Sequence, residues 1–210
     1  MSRPRLTTTS YAILSLLAVR SWSTYELAQQ MSRSLGRIWP RAESKLYEEP
    51  KKLVEHGYAR ARKDKVGDRP RTVYSITAAG RRALASWMAE PAAGPVLEWE
   101  QLVKIVFAEN GTRADTLARL AEARAWAVER NEESLATARA YAAGEAEFQE
   151  RVAVNLLGGG FLTEYYRLVA EWADWATGIV ETWPDDPGQA EPDPEALRRI
   201  VSRGAWSERA

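Results

Sequence analysis

The chain has 210 residues, enough for one large or two small domains, and 45% of them are hydrophobic, so a buried core can form. It contains no cysteine, which excludes disulfides and thiolate metal sites. Its formal net charge of zero hides a division: residues 1–82 hold 17 basic and 7 acidic groups, a balance of +10, and residues 83–210 carry −10.

Thr8 and Thr9 precede an apolar run, Tyr11 to Val19, which predicts a buried first helix with a threonine cap. Trp22 lies in the break that follows. Ser23-Thr24-Tyr25-Glu26 is a capping box, and the helix it starts carries Leu27, Ala28 and Met31 on one face before fading near Ser34 to Gly36. A third helix is predicted from about Arg41 to His56, with Leu46, Leu53 and Val54 inward and Gly57 as a left-handed cap. Pro50 lies inside it and predicts a kink or a split near Leu46 to Pro50. Tyr58 to Lys65 and Arg71 to Ile76 read as strands joined through the turn-forming Val66-Gly67-Asp68-Arg69-Pro70. Thr77 then caps a helix from Ala78 to about Ala89. Three helices, a hairpin and a fourth helix follow one another in the order of a winged helix-turn-helix.

Pro91 to Pro95 is the natural boundary. Beyond it an amphipathic helix from Trp99 to Glu109 stops at Asn110-Gly111, and Thr112 caps another that runs to about Ala143. On the latter, Ala114, Leu117, Ala121, Arg124, Val128, Asn131, Leu135, Ala138 and Ala142 recur three and four apart. Such a seam needs a partner helix, and Arg124 and Asn131 within it are expected to fix the register. A long helical region follows from Glu145 to Trp183, with Tyr165, Leu168, Val169, Trp172, Ala176 and Ile179 in one stripe. Tyr166 and Trp175 widen the stripe, so this helix should pack on two sides, in its own chain and across a dimer. Gly158-Gly159-Gly160 is expected to break or bend it so that another helix can come close. After Pro184 the composition turns to Pro, Asp and Glu and reads as a link, with one short helix from Pro194 to Arg203.

The fold class expected is therefore mainly α with a small β-hairpin, a winged helix-turn-helix followed by an α-helical dimerisation domain. Its divisions are a DNA-binding domain at 1–90, a helical dimerisation and ligand-sensing domain at 91–183, and a flexible tail at 184–210. A basic front on an acidic rear is the electrostatic pattern of a nucleic-acid-binding head on a non-binding body. No apolar run approaches the ~20 residues of a membrane span and no signal-peptide pattern is present, so a soluble cytoplasmic protein without membrane association is expected.

The ordered segments Ala12-Ile13-Leu14-Ser15-Leu16-Leu17, Tyr25-Glu26-Leu27, Lys45-Leu46-Tyr47, Glu55-His56-Gly57, Asp68-Arg69-Pro70-Arg71-Thr72-Val73-Tyr74 and Ile76-Thr77-Ala78-Ala79-Gly80 resemble the PadR family of bacterial transcription regulators. The resemblance covers about residues 8–85. Two places depart from the family pattern: Ser23-Thr24 stands where the family usually has His-Gly, and proline follows Leu-Tyr only at Pro50. The long C-terminal part resembles the larger-tailed branch, whose tail helices make the dimer and in some members help sense a ligand. The resemblance implies a homodimeric transcriptional regulator, here read as a repressor, bound to a near-palindromic operator in double-stranded DNA.

For base contacts the third helix offers Arg41, Glu43, Ser44, Lys45, Tyr47 and Glu48 near its N-terminal half, the half that meets the major groove. Lys51 and Lys52 suit phosphates, and in the wing Lys63, Lys65, Arg69 and Arg71 suit the backbone or minor groove. The resemblance places the Tyr25 hydroxyl near a phosphate. His56, the one histidine, precedes a capping glycine and reads as structural, so no catalytic site, metal site or cofactor is expected. Trp99, Trp126, Trp172 and Trp175, with Tyr165 and Tyr166, are candidate walls for a small aromatic effector. Trp126 projects away from the Leu117 to Leu135 seam and so needs another partner. The alternative reading is a protein-interaction module on a winged-helix scaffold, without specific DNA binding.

Overall fold

The chain divides into two units, residues 1–95 and 96–210. The structure, a computed structural model, describes residues 6–40 and 43–205.

The first unit runs α1 (Thr8–Val19), β1 (Trp22–Ser23), α2 (Thr24–Ser34), α3 (Glu43–Glu55), β2 (Ala59–Val66), β3 (Arg69–Ile76) and α4 (Ala78–Met88). Helix α1 starts one turn earlier than its apolar run, because Thr7 and Ser10 form a reciprocal capping box. Its Ile13, Leu14, Leu16 and Leu17 are buried. Trp22 belongs to the sheet and not to a break: β1 pairs antiparallel with β3, Trp22 opposite Tyr74 and Ser23 opposite Val73, giving the strand order β1-β3-β2. Two residues are too few to show the alternation that betrays a strand in sequence. The buried Trp22 donates from Nε1 to the Leu16 carbonyl at 2.8 Å, which ties the sheet to α1.

The capping box at Ser23 and Glu26 starts α2, and Leu27, Ala28 and Met31 turn inward. Helix α3 runs unbroken through Pro50, so the expected split is absent. Pro50 is less than 2% exposed. That burial offsets part of the roughly 3 kcal/mol that an interior proline costs a helix. Beside it the buried Glu49 accepts a short hydrogen bond from Ser10 Oγ, linking α3 to α1. Helix α3 ends in a Schellman motif: Gly57 takes φ +76, its N–H meets the Val54 carbonyl, and the Tyr58 N–H reaches the Leu53 carbonyl.

The hairpin turn is tighter than the sequence suggested. Val66 pairs with Arg69, leaving a two-residue loop of Gly67 and Asp68 with Gly67 at φ +58. Glycine at the first central position is what a two-residue hairpin of the II′ kind requires. The Thr77 hydroxyl accepts from the Gly80 N–H at 3.0 Å and lies 2.8 Å from the Gly57 carbonyl. A Cβ at Gly80 would collide with the Tyr58 carbonyl, so glycine lets α4 approach the start of β2. Tyr11 and Trp87 stack at 4.7 Å and hold α4 to α1.

The second unit contains α5 (Glu100–Val106), α6 (Arg113–Ala143), α7 (Val152–Val180) and α8 (Pro194–Gly204), with single 3₁₀ turns at Ala108–Asn110, Gln149–Arg151 and Pro187–Gln189. A Thr112–Asp115 capping box starts α6, and Gly144 at φ +75 ends it. Helix α6 packs on α7 through Thr116, Leu120, Ala123 and Ala127, which meet Tyr166, Val169, Ala173, Ala176 and Val180. Both sets alternate steps of three and four, a coiled-coil-like contact within one chain. It is not the seam expected from sequence. Ala114, Ala121, Arg124 and Val128 of that seam are exposed, and Arg124 donates to Asp174 on α7 at 2.6 Å. Spacing of three and four fits more than one stripe on an alanine-rich helix, and burial selects the one holding Leu120.

Gly158, Gly159 and Gly160 lie inside α7 without interrupting it, and a Cβ on any of them would meet nothing within 4 Å. No neighbour among the described residues explains them. Val154, Leu157, Phe161 and Leu168 are exposed on the same helix. Past α7, Pro187 is buried and the Arg113 guanidinium meets the Trp183 carbonyl at 3.0 Å and Asp185 at 2.9 Å. No helix among the described residues is long and apolar enough to cross a membrane.

Candidate nucleic-acid interface

Helix α3 has two faces. Leu46, Glu49, Pro50 and Leu53 are buried, and Ser44, Lys45, Tyr47, Lys51 and Lys52 are exposed. Spacing alone creates this division, since residues three and four apart share a face. Glu43 opens the helix, and Arg41 lies outside the described residues. Lys45 has Glu48 at 3.9 Å and Lys52 has Glu49 at 3.8 Å. Between the exposed Lys45 and Glu48 such a contact is weak, and the exposed Lys52 ammonium reaches only the edge of the buried Glu49, so both lysines can exchange partners.

Two aromatic side chains border this face. Tyr25, in the first turn of α2, is 66% exposed and Tyr47 is 36% exposed. They share a cleft of about 430 Å³ lined also by Met31, Arg33, Trp39 and Leu46. A second cleft, of about 440 Å³, runs between Ser23 to Tyr25, Tyr47 and the wing residues Lys63, Pro70, Arg71 and Thr72. The start of α2, the exposed face of α3 and the base of the wing therefore form one continuous surface.

The register of the hairpin sorts the wing cations. Directly opposed residues share a face of an antiparallel pair. Lys63 opposes Thr72 and Lys65 opposes Pro70, so these two lysines stand together. Asp64 opposes Arg71 on the other face. Arg71 donates to Asp64 from Nε at 3.1 Å and from a terminal nitrogen at 2.9 Å, and its other terminal nitrogen lies 3.8 Å from Glu26. Arg62 approaches the same Asp64 at 4.0 Å. Among the described residues Lys51, Lys63, Lys65 and Arg69 carry no ion pair. Arg71, grouped with them by sequence, is the wing cation already held by carboxylates.

The carboxylates respond. The bond from Arg71 holds the Asp64 carboxyl below its ordinary range. Glu26 is lowered chiefly by the Ser23 hydrogen bonds and, less, by Arg71. The sequence marks Glu26 as a cap and as part of the Tyr25-Glu26-Leu27 segment, and it does not single out Asp64. The signal for Asp64 lay in the two-residue Gly67-Asp68 turn, which fixes the register that sets Asp64 against Arg71.

In the second unit the six candidate effector residues fall into separate groups. Trp126, 37% exposed, meets Tyr166 edge-on at 5.5 Å and Tyr165 at 6.2 Å, which supplies the partner its direction demanded. Burial and the neighbouring Tyr166 raise the Tyr165 phenol above its ordinary value. Trp99 meets Trp172 edge-on at 5.3 Å. Trp175 packs beside the Leu120, Ala176 and Val180 core and carries the Arg199 guanidinium over its ring at 4.9 Å. Among the described residues no group of three His, Cys, Asp or Glu side chains is placed to hold a metal ion.

Comparison with known proteins bears on this surface. Residues 13–86 match the model of the transcriptional regulator PadR-like family. A probable transcriptional regulator of Mycobacterium tuberculosis is 35% identical over 82 residues, 39% of this chain. The negative transcriptional regulator PadR of Bacillus subtilis is 32% identical over 79 residues, 37% of this chain. Each match spans 43% of the relative's own length. The crystal structure of the Bacillus subtilis protein with operator DNA aligns at a TM-score of 0.73 and 20% identity, covering 83% of this chain and 99% of that one. Its structure with p-coumaric acid aligns at 0.65 and 20% identity, covering 82% and 94%. The fold, a winged helix-turn-helix followed by long helices, is shared with them.

Proposed function

We propose, from the match of residues 13–86 to the PadR-like family of transcriptional regulators, that this chain is a sequence-specific DNA-binding regulator, a homodimeric repressor relieved by a small aromatic effector. The observation that carries this reading is the surface of α2, α3 and wing. It joins exposed cations, two tyrosines and the solvent-facing side of α3, a helix of the kind that enters a major groove. Arg41, Glu43, Ser44, Lys45 and Tyr47 read base edges, with an arginine or lysine on guanine and the glutamate on a cytosine amine. Tyr25, Lys51, Lys52, Lys63, Lys65 and Arg69 hold phosphates.

Residues 1–90 act as the DNA-binding domain, 91–183 as the dimerisation and sensing domain, and 184–210 as a tail. The exposed apolar side chains Val154, Leu157, Phe161 and Leu168 on α7 support a contact with a second copy. Two copies would set two recognition helices in successive major grooves of a near-palindromic operator in the cytoplasm. The effector would stack on Trp126 and Tyr165, whose rings stay partly exposed beside the buried Tyr166. The relatives' operator DNA and p-coumaric acid are consistent in kind with both roles.

Arg69→Ala tests the sorting of contacts. It should weaken binding to every duplex alike and reduce the salt slope by about 1. Arg41→Ala should weaken binding and relax preference at particular base pairs. Equal effects from the two variants would contradict the assignment. An interaction module that does not recognise DNA would instead show no discrimination between duplexes.

A further inference from the structure

We propose that Arg71 does not hold DNA but sets the angle of the wing, as a positioning residue clamped between Asp64 and Glu26; the inference rests on the DNA-binding reading above. Arg71 stands on β3 and is bound on one side to Asp64 of β2 through two nitrogens on one carboxylate oxygen. On the other side it faces Glu26 of α2 at 3.8 Å. Glu26 is itself fixed, since its carboxylate accepts from the Ser23 N–H at 2.7 Å. Ser23 in turn lies opposite Val73 on β3.

One guanidinium therefore joins three elements: both strands of the wing and the first turn of α2. β1 supports β3 only at Val73 and Tyr74, so nearer the tip the hairpin has no third strand beside it. A two-stranded ribbon is marginal by itself, and a clamp at its neck fixes where its tip points. Beyond the clamp the tip carries Lys65 and Arg69, two wing cations without an ion pair among the described residues. Arg71 aims them without touching the phosphates itself. Arginine is suited to this because its planar fork serves two carboxylates at once, which a lysine ammonium does not reproduce.

The test compares R71K, D64N and E26Q with the wild-type chain by DNA binding, using a fluorescent duplex from upstream of the protein's own gene at two salt concentrations. Thermal unfolding of the DNA-free variants is measured alongside. Glutamine still serves in a capping box, so E26Q keeps the start of α2. If Arg71 positions the wing, all three variants lose about tenfold in affinity while melting near wild type. D64N and E26Q lose affinity even though each removes a negative charge beside DNA. R71K binding like wild type, with D64N and E26Q binding more tightly, overturns the proposal and makes Arg71 a phosphate contact. No binding by the wild-type chain to any duplex at low salt overturns instead the DNA-binding reading beneath it, and the proposal with it.

Discussion

At the scale of single residues, the head is organised by carboxylates that meet partners far away in sequence. Glu49 is buried against Ser10, 39 positions earlier. Ser10→Ala removes that hydroxyl, and a buried acceptor deprived of a partner costs about 1–3 kcal/mol. The urea midpoint should fall accordingly, and an unchanged midpoint would mean Glu49 finds another donor. Glu26 and Asp64 allow a pH prediction. Both are depressed in the folded state, so their contribution is complete above the unfolded values of about 4.3 and 3.9. It disappears as pH falls through the lower folded values. Stability followed by urea unfolding should therefore fall less steeply below about pH 4 in a Glu26→Gln, Asp64→Asn double variant than in the wild-type chain. Little of this was legible in sequence. The cap at Glu26 was, because its partner lies three residues away. The Ser10–Glu49 and Asp64–Arg71 pairs were not, because each needs a packing or a register that only the fold supplies.

At the scale of elements, short-range rules located most boundaries and long-range packing decided the rest. Thr77 and Gly80 show why a Thr-x-x-Gly turn sits where it does: the hydroxyl caps α4 and the bare glycine clears the Tyr58 carbonyl. Gly80→Ala should destabilise the first unit by about 1–3 kcal/mol, the range for forced overpacking, and thermal unfolding would register it. Gly159→Ala should do the reverse. An exposed glycine within a helix costs about 1 kcal/mol against alanine, and nothing among the described residues crowds it. A loss of stability there would mean that a second copy packs against the glycines. Caps such as Ser23, Thr112 and Gly57 were readable because their chemistry is local. Strand β1 was not, since two residues carry no period. The α6 stripe that meets α7 was not singled out in the sequence because alanine is permissive on every face, and only contact with α7 distinguishes one stripe from another.

At the scale of the whole molecule, the segregation of charge was legible from the first count: a basic front, an acidic rear. The family pattern in the first 85 or so residues stood out because its pieces occur in order. The second unit offers no such pattern, so its role rests on exposed side chains. Phe161→Asp should shift sedimentation at micromolar concentration toward a monomer, and an undisturbed dimer would place the contact elsewhere on the chain. The central claim is that the head recognises DNA by sequence, and anisotropy of a labelled upstream duplex against a scrambled one tests it most directly. Tighter binding to the native duplex, with affinity falling about 10³–10⁵-fold between 50 and 200 mM salt, is the result expected of some 6–10 phosphate contacts. Equal affinity for both duplexes, or none for either at low salt, would contradict the account.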